Sequence, residues 1–164
     1  MPTEVGEHVV GAYLKLIELC DVVDYNARSP GGGMAGLGEF DVVGLRFTDS
    51  TAFVCEVATH LQGLEYGKGY DDSIERIQKK LVRQRQYAEA QLKPFPNRRF
   101  MFWSPVVPRG RLVDALHRIE GLEIFVNSEY RAAVNELRER AKATASDTGN
   151  PFFRALQILE RLRD

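Results

Sequence analysis

The stretch Glu39–His60, EFDVVGLRFTDSTAFVCEVATH, decides the fold of this chain. Two apolar runs, Glu39–Phe47 and Ala52–His60, flank the turn residues TDST, which predicts two strands joined by a tight connection. Each run carries one acid inside it, Asp41 in the first and Glu56 in the second. A carboxylate within an apolar strand is costly unless something offsets its burial. Alternation sets Glu39, Asp41 and Val43 on one face, and Glu56, Ala58 and His60 on one face of the next strand. Phe53, Cys55 and Val57 then point the other way, toward the expected core. Two acids on neighbouring strands can converge on one point, and a divalent cation removes the repulsion between them. Oxygen donors completed by water suit Mg2+ or Mn2+, which can activate water and stabilise charge on a phosphate. The alternative is a solvated sheet face on which both acids are simply exposed.

Working outward, residues from Thr3 to about Leu19 have helical spacing, with Thr3 as the expected cap. Val22–Ala27 is a short alternating strand. SPGGGMAGLG, Ser29–Gly38, cannot hold regular structure. After His60 comes a polar loop with Tyr66, Lys68 and Tyr70, then a long helix from Ser73 to about Leu92. A strand follows over Arg99–Val107, a short helix over Arg111–Ile119, a strand over Leu122–Val126, a helix capped by Ser128 to about Thr144, and a terminal helix Pro151–Arg163. The order αβββαβαβαα implies an α/β fold, a central mixed β-sheet flanked by helices.

The 164 residues suit a single domain, residues 1–164, with 150–164 a terminal helix that serves as a cap or as a homodimer contact. Twenty-two basic residues against 23 acidic give a net charge of −1, which disfavours a non-specific nucleic-acid coat protein but not a nuclease. Apolar runs are too short for a membrane helix, and the acids of MPTEVGEH argue against a signal peptide, so a cytoplasmic location is expected. Cys20 and Cys55 sit apart in apolar runs and are expected to be buried reduced thiols.

The motif order resembles the PD-(D/E)XK, or restriction-endonuclease-like, nuclease superfamily, closest to small Holliday-junction-resolvase-like bacterial endonucleases. The residues that carry this are Gly6-Glu7 with Ala12-Tyr13-Leu14, Asn26-Ala27-Arg28, Gly38-Glu39-Phe40-Asp41, and Phe53-Val54-Cys55-Glu56-Val57-Ala58-Thr59. The helix with Lys79, Lys80 and Arg83 also fits, and the likeness spans about residues 4–93. The resemblance implies a restriction-endonuclease-like fold and a Mg2+-dependent endonuclease acting on nucleic acid, with DNA the expected substrate. It implies a metal held by Asp41 and Glu56, with the Val57 backbone carbonyl assisting and Glu7 completing the shell. Glu7 otherwise reads as an ordinary first-turn acid favouring the helix dipole.

The chain departs from the family at Ala58, where the pattern places a lysine that orients or deprotonates the attacking water. Three explanations stand. The lysine's role has moved to the long helix, where Ile74, Ile77, Leu81, Ala88 and Leu92 form a stripe with Gln84 at its edge and Lys80 just beyond. Or His60, further along the face of Glu56, acts as base, ligand or phosphate contact. Or the site is degenerate, and an inactive nuclease fold binds nucleic acid or a protein. Tyr66, Lys68, Lys79 and Arg83 are the nucleic-acid candidates, set against the usual fate of such charges as a solvated surface.

Overall fold

The computed structural model describes residues 2–28, 39–64 and 69–163. The described elements are α1 (Val5–Leu16), β1 (Val22–Ala27), β2 (Phe40–Arg46), β3 (Thr51–Val57), α2 (Tyr70–Gln91), β4 (Asn97–Ser104), α3 (Arg111–His117), β5 (Glu123–Val126), α4 (Ser128–Ala143) and α5 (Pro151–Arg161). Their sequence is the expected αβββαβαβαα. The strands form one sheet in the order β1-β2-β3-β4-β5. The first three make an antiparallel meander, and β4 and β5 run parallel to β3. Parallel neighbours need a crossover, and α2 and α3 supply the two crossovers. Both step the same way across the sheet, so a common handedness lays both helices on one face.

The opposite face carries α1, α4 and α5. Val9, Val10 and Leu14 of α1, Ala133 and Leu137 of α4, and Phe153 and Leu156 of α5 pack there on Phe53, Cys55, Met101 and Trp103. Trp103 is stacked on Phe125, with ring centroids 3.9 Å apart. On the α2–α3 face, Ile77, Leu112 and Leu116 cover Phe102, Ile124 and Val126, while Ala88 and Leu92 cover Val43, Ala52 and Val54. The central strand β3 is therefore buried on both faces, whereas Val22 and Asp24 of β1 stay exposed. The expectation of a core on one side, opposite the acids, is corrected: Ala52 and Val54, on the face of Glu56, are as buried as Phe53 and Cys55.

The ends of several elements move by a few residues. α1 starts at Val5 and ends at Leu16, so Glu4 rather than Thr3 is its N-cap. Asn127, not Ser128, precedes the first turn of α4, and its side chain bonds the backbone of Val107 instead of capping. β4 closes at Ser104, before Pro105, because proline cannot donate to the ladder. Helix α5 caps the domain through Phe153 and Leu156, with Ile158, Leu159 and Leu162 facing outward. Cys20 and Cys55 are buried free thiols, and burial pushes Cys20 up to about 12. No helix among the described residues is long and apolar enough to cross a membrane.

Candidate functional site

Strand register brings the two acids together. Val42 pairs with Cys55, so one step toward the strand ends sets Asp41 opposite Glu56. Asp41 lies at the start of β2 and Glu56 near the end of β3, and antiparallel pairing places both at one end of the sheet. The backbone N–H of Val57 donates to Asp41 Oδ2 at 2.7 Å, fixing that carboxylate against the end of β3. The two carboxyl groups lie within hydrogen-bonding reach of one another. Burial first, and then the neighbouring Glu56, push Asp41 up to about 7, while the Val57 N–H and the Lys80 ammonium pull it partly back.

The counter-charge comes from α2. That helix covers β4 and β5 with Ile77 near its start, and β2 and β3 with Ala88 near its end, so its middle crosses the acid pair. There Lys80 Nζ forms an ion pair with Glu56 Oε1. The Glu56 side chain is 11% exposed and that of Lys80 35%, so the pair is screened from bulk water on one side and open on the other. At the family's lysine position, Ala58 is buried in the apolar cluster of Leu64, Ile77 and Phe102. A long cationic side chain from that position would displace this packing; the ammonium beside Glu56 arrives from the helix instead.

Gln84, one turn after Lys80, is 1% exposed, and its Nε2 has no hydrogen-bond partner among the described residues. It lies within the buried stripe of Ser73, Ile77, Leu81 and Ala88, rather than at the edge expected from the sequence. A buried amide hydrogen is costly to leave without an acceptor.

Glu7 enters from the other face of the sheet. It is buried in the first turn of α1, where its Oε2 accepts from the Glu4 N–H at 2.9 Å. Burial raises its pKa, the Glu4 N–H lowers it, and the negative charge of Asp41 raises it again, so Glu7 senses the acid pair. The Asn26 side chain also draws it down. Asn26 sits between Tyr25, paired with Val42, and Ala27, paired with Phe40, and has φ +54°. This left-handed residue on β1 faces the same corner; the sequence quoted it as part of a motif but gave no sign of its backbone twist. Gly6 lets α1 approach: a Cβ there would lie 1.9 Å from Thr59 Oγ1. Gly6→Ala is expected to push α1 off the end of β3 and to cost about 1–3 kcal/mol, read as a lower midpoint in urea unfolding. An unchanged midpoint would show that the approach is not tight.

The other sequence candidates fall elsewhere. His60 is exposed in the segment beyond β3. Lys79 is paired with Glu75 at 2.6 Å on the solvent side of α2, and Arg83 is exposed one turn on, so neither joins the acid pair. Tyr66 and Lys68, and the segment Ser29–Gly38, lie outside the described residues. The Val57 residue contributes its N–H to Asp41, as above. Among the described residues, no group of three or more His, Cys, Asp or Glu side chains is arranged to hold a metal ion. Magnesium is commonly held by one or two carboxylates with water and substrate phosphate, and two adjacent carboxylates match that donor set.

At the far end of the sheet, carboxylates have a different environment. Glu18 and Glu123 are bound by Arg99, and Glu18 also by Arg46, in a saturated ion-pair network. Asp41 and Glu56 have no arginine partner among the described residues. The contrast separates a structural cluster of charge from a pair of acids held close beside a single ammonium. Comparison with known proteins finds no matching family model, no matching curated protein and no matching solved structure.

Proposed function

We propose that this protein is a divalent-metal-dependent nuclease of restriction-endonuclease-like fold that hydrolyses nucleic-acid phosphodiesters, with DNA the expected substrate. The observation that carries the proposal is the placement of the Lys80 ammonium on Glu56, directly across from Asp41, in a chain with alanine at the motif lysine position. Mg2+ or Mn2+, held by Asp41 and Glu56, would polarise the phosphate and lower the pKa of water. Glu7 supports the pair from α1 through water or directly. The Val57 N–H fixes the Asp41 carboxylate. Lys80, on the open side of Glu56, orients the attacking water and offsets charge developing on the phosphate. Gln84 supplies a donor from the same helix. His60 is the alternative helper of the water, on the segment leaving β3.

The second reading is an inactive nuclease-fold module that binds nucleic acid or a protein. The packed Ala58 favours it. The two separate in one assay. Purified protein is titrated with Mg2+ or Mn2+ over linear, nicked, branched and single-stranded DNA and over RNA, beside Asp41→Ala and Glu56→Ala. The nuclease predicts metal-dependent cleavage lost in both variants. The binding module predicts retention of substrate without turnover, and no loss of binding in Glu56→Ala.

A further inference from the structure

From the shape and charge of a second region, we infer that the crevice between α3 and α4 holds backbone phosphates of the same strand whose scissile group meets Asp41 and Glu56. This rests on the nuclease proposal and adds that the substrate is an extended strand rather than a small phosphodiester. The crevice has a volume of about 670 Å³ and opens where β4 and β5 end. In open α/β sheets, ligands bind outside the carboxyl ends of the strands. β3 runs parallel to β4 and β5, so Glu56, near the carboxyl end of β3, faces the same end of the sheet. Two strand spacings, roughly 10 Å, separate β3 from β5. A strand of nucleic acid spans that distance in a few nucleotides.

Arg109 and Arg131 line the crevice, both exposed. Neither has a carboxylate partner among the described residues, whereas Arg46, Arg98, Arg99 and Arg138 each do. Of the two acids in the lining, Glu129 is already engaged. His117 Nε2 lies 3.0 Å from its Oε1, and Ser128 Oγ donates to its Oε2 at 3.2 Å. His117 Nδ1 lies 2.8 Å from the Val113 carbonyl, so both ring nitrogens face acceptors, which suits the doubly protonated cation. Asp114 is the remaining acid, set against two guanidinium groups whose forked donors match phosphate geometry.

The test is fluorescence anisotropy in EDTA over a salt series. The probes are a single-stranded oligonucleotide long enough to span both regions and a dinucleotide. The variants are Arg109→Gln/Arg131→Gln and, as a control at the other end of α4, Arg140→Gln, each checked for an unchanged thermal midpoint. The double variant is expected to bind the long strand more weakly, with the slope of log K against log salt reduced by about 1.4, or ~0.7 per lost phosphate contact. Dinucleotide binding and the Arg140→Gln slope stay at wild-type values. An unchanged slope in the double variant overturns the inference. So does an equal loss in Arg140→Gln, or competition by inorganic phosphate as effective as by the strand, which marks a small-anion site. Metal-dependent cleavage persisting in those cases leaves the nuclease proposal standing. Loss of slope without any cleavage by the wild type supports the crevice and removes the nuclease.

Discussion

Lys80→Ala is expected to cleave about 100- to 10,000-fold more slowly than the wild type, the range associated with a positioned proton-transfer group. The loss falls in kcat, while the metal concentration for half-maximal activity changes little, because the two carboxylates remain. Lys80→Arg distinguishes the ammonium's possible roles. Arginine keeps the charge beside Glu56 but does not deprotonate, so recovery of most of the rate would assign Lys80 to charge stabilisation alone. A Lys80→Ala enzyme as fast as wild type would remove Lys80 from the chemistry and return His60 to consideration. The geometry gives Lys80 this weight: its ammonium reaches a carboxylate that is almost closed from solvent, from a helix that covers that face of the sheet.

The effect of Asp41→Asn on stability is expected to depend on both pH and metal. Asp41 is held up to about 7 from an ordinary 3.8. The folded chain therefore binds a proton that the unfolded chain releases between those values. By linkage, the contribution of this group to stability is greatest below about pH 4 and is lost as pH rises to about 7. At ~1.36 kcal/mol per pKa unit, the swing is at most roughly 4 kcal/mol. Asparagine does not titrate, so the metal-free variant should be more stable than the wild type at pH 8 and lack the slope between pH 4 and 7. Adding Mg2+ or Mn2+ should narrow that gap at pH 8. On the nuclease proposal the metal would stabilise the ionised pair by about 2.7 kcal/mol at a hundredfold excess over its dissociation constant, and the variant would lose most of that gain. Urea unfolding at pH 5.5 and pH 8, with and without metal, reads all four states. Parallel pH profiles for the two proteins would show that folding does not hold Asp41 above its ordinary value. The same metal response in both would show that the ion does not use Asp41.

Much of the site was visible as pattern. Asp41 and Glu56 stood out because an acid inside an apolar strand is anomalous, and the short turn between the strands left only an antiparallel pairing that could set them across from each other. Lys80 was one candidate among several cations in KKLVRQR, distinguished from Lys79 by its angle around the helix. The structure separates them sharply: Lys80 lies on Glu56, and Lys79 lies on Glu75 at the solvent side. Gln84 was placed at the edge of the apolar stripe and is buried within it. The sequence offers Asn26 within a motif but carries no sign of its left-handed backbone, which turns it to the corner of Glu7. The sequence offers Arg109 as a phosphate contact with surface charge as the default reading, and it does not single out Arg131, since nothing local tells that the ends of α3 and α4 meet around a crevice.

The amino-acid sequence by itself determined the order of strands and helices, the pairing of the central hairpin and the presence of one acid on each of its strands. Those follow from periodicity and turn chemistry, which act over a few residues. Only the tertiary structure decided that α2 crosses the sheet with Lys80 over Glu56, and that α1 brings Glu7 to the same corner. A helix's rotation and crossing point depend on side chains far apart in sequence, here Ile77 on Phe102 and Ala88 on Val54. Packing of that kind sets which of several adjacent cations reaches a buried carboxylate, because a turn of a helix by one residue moves its side chains by about 100°.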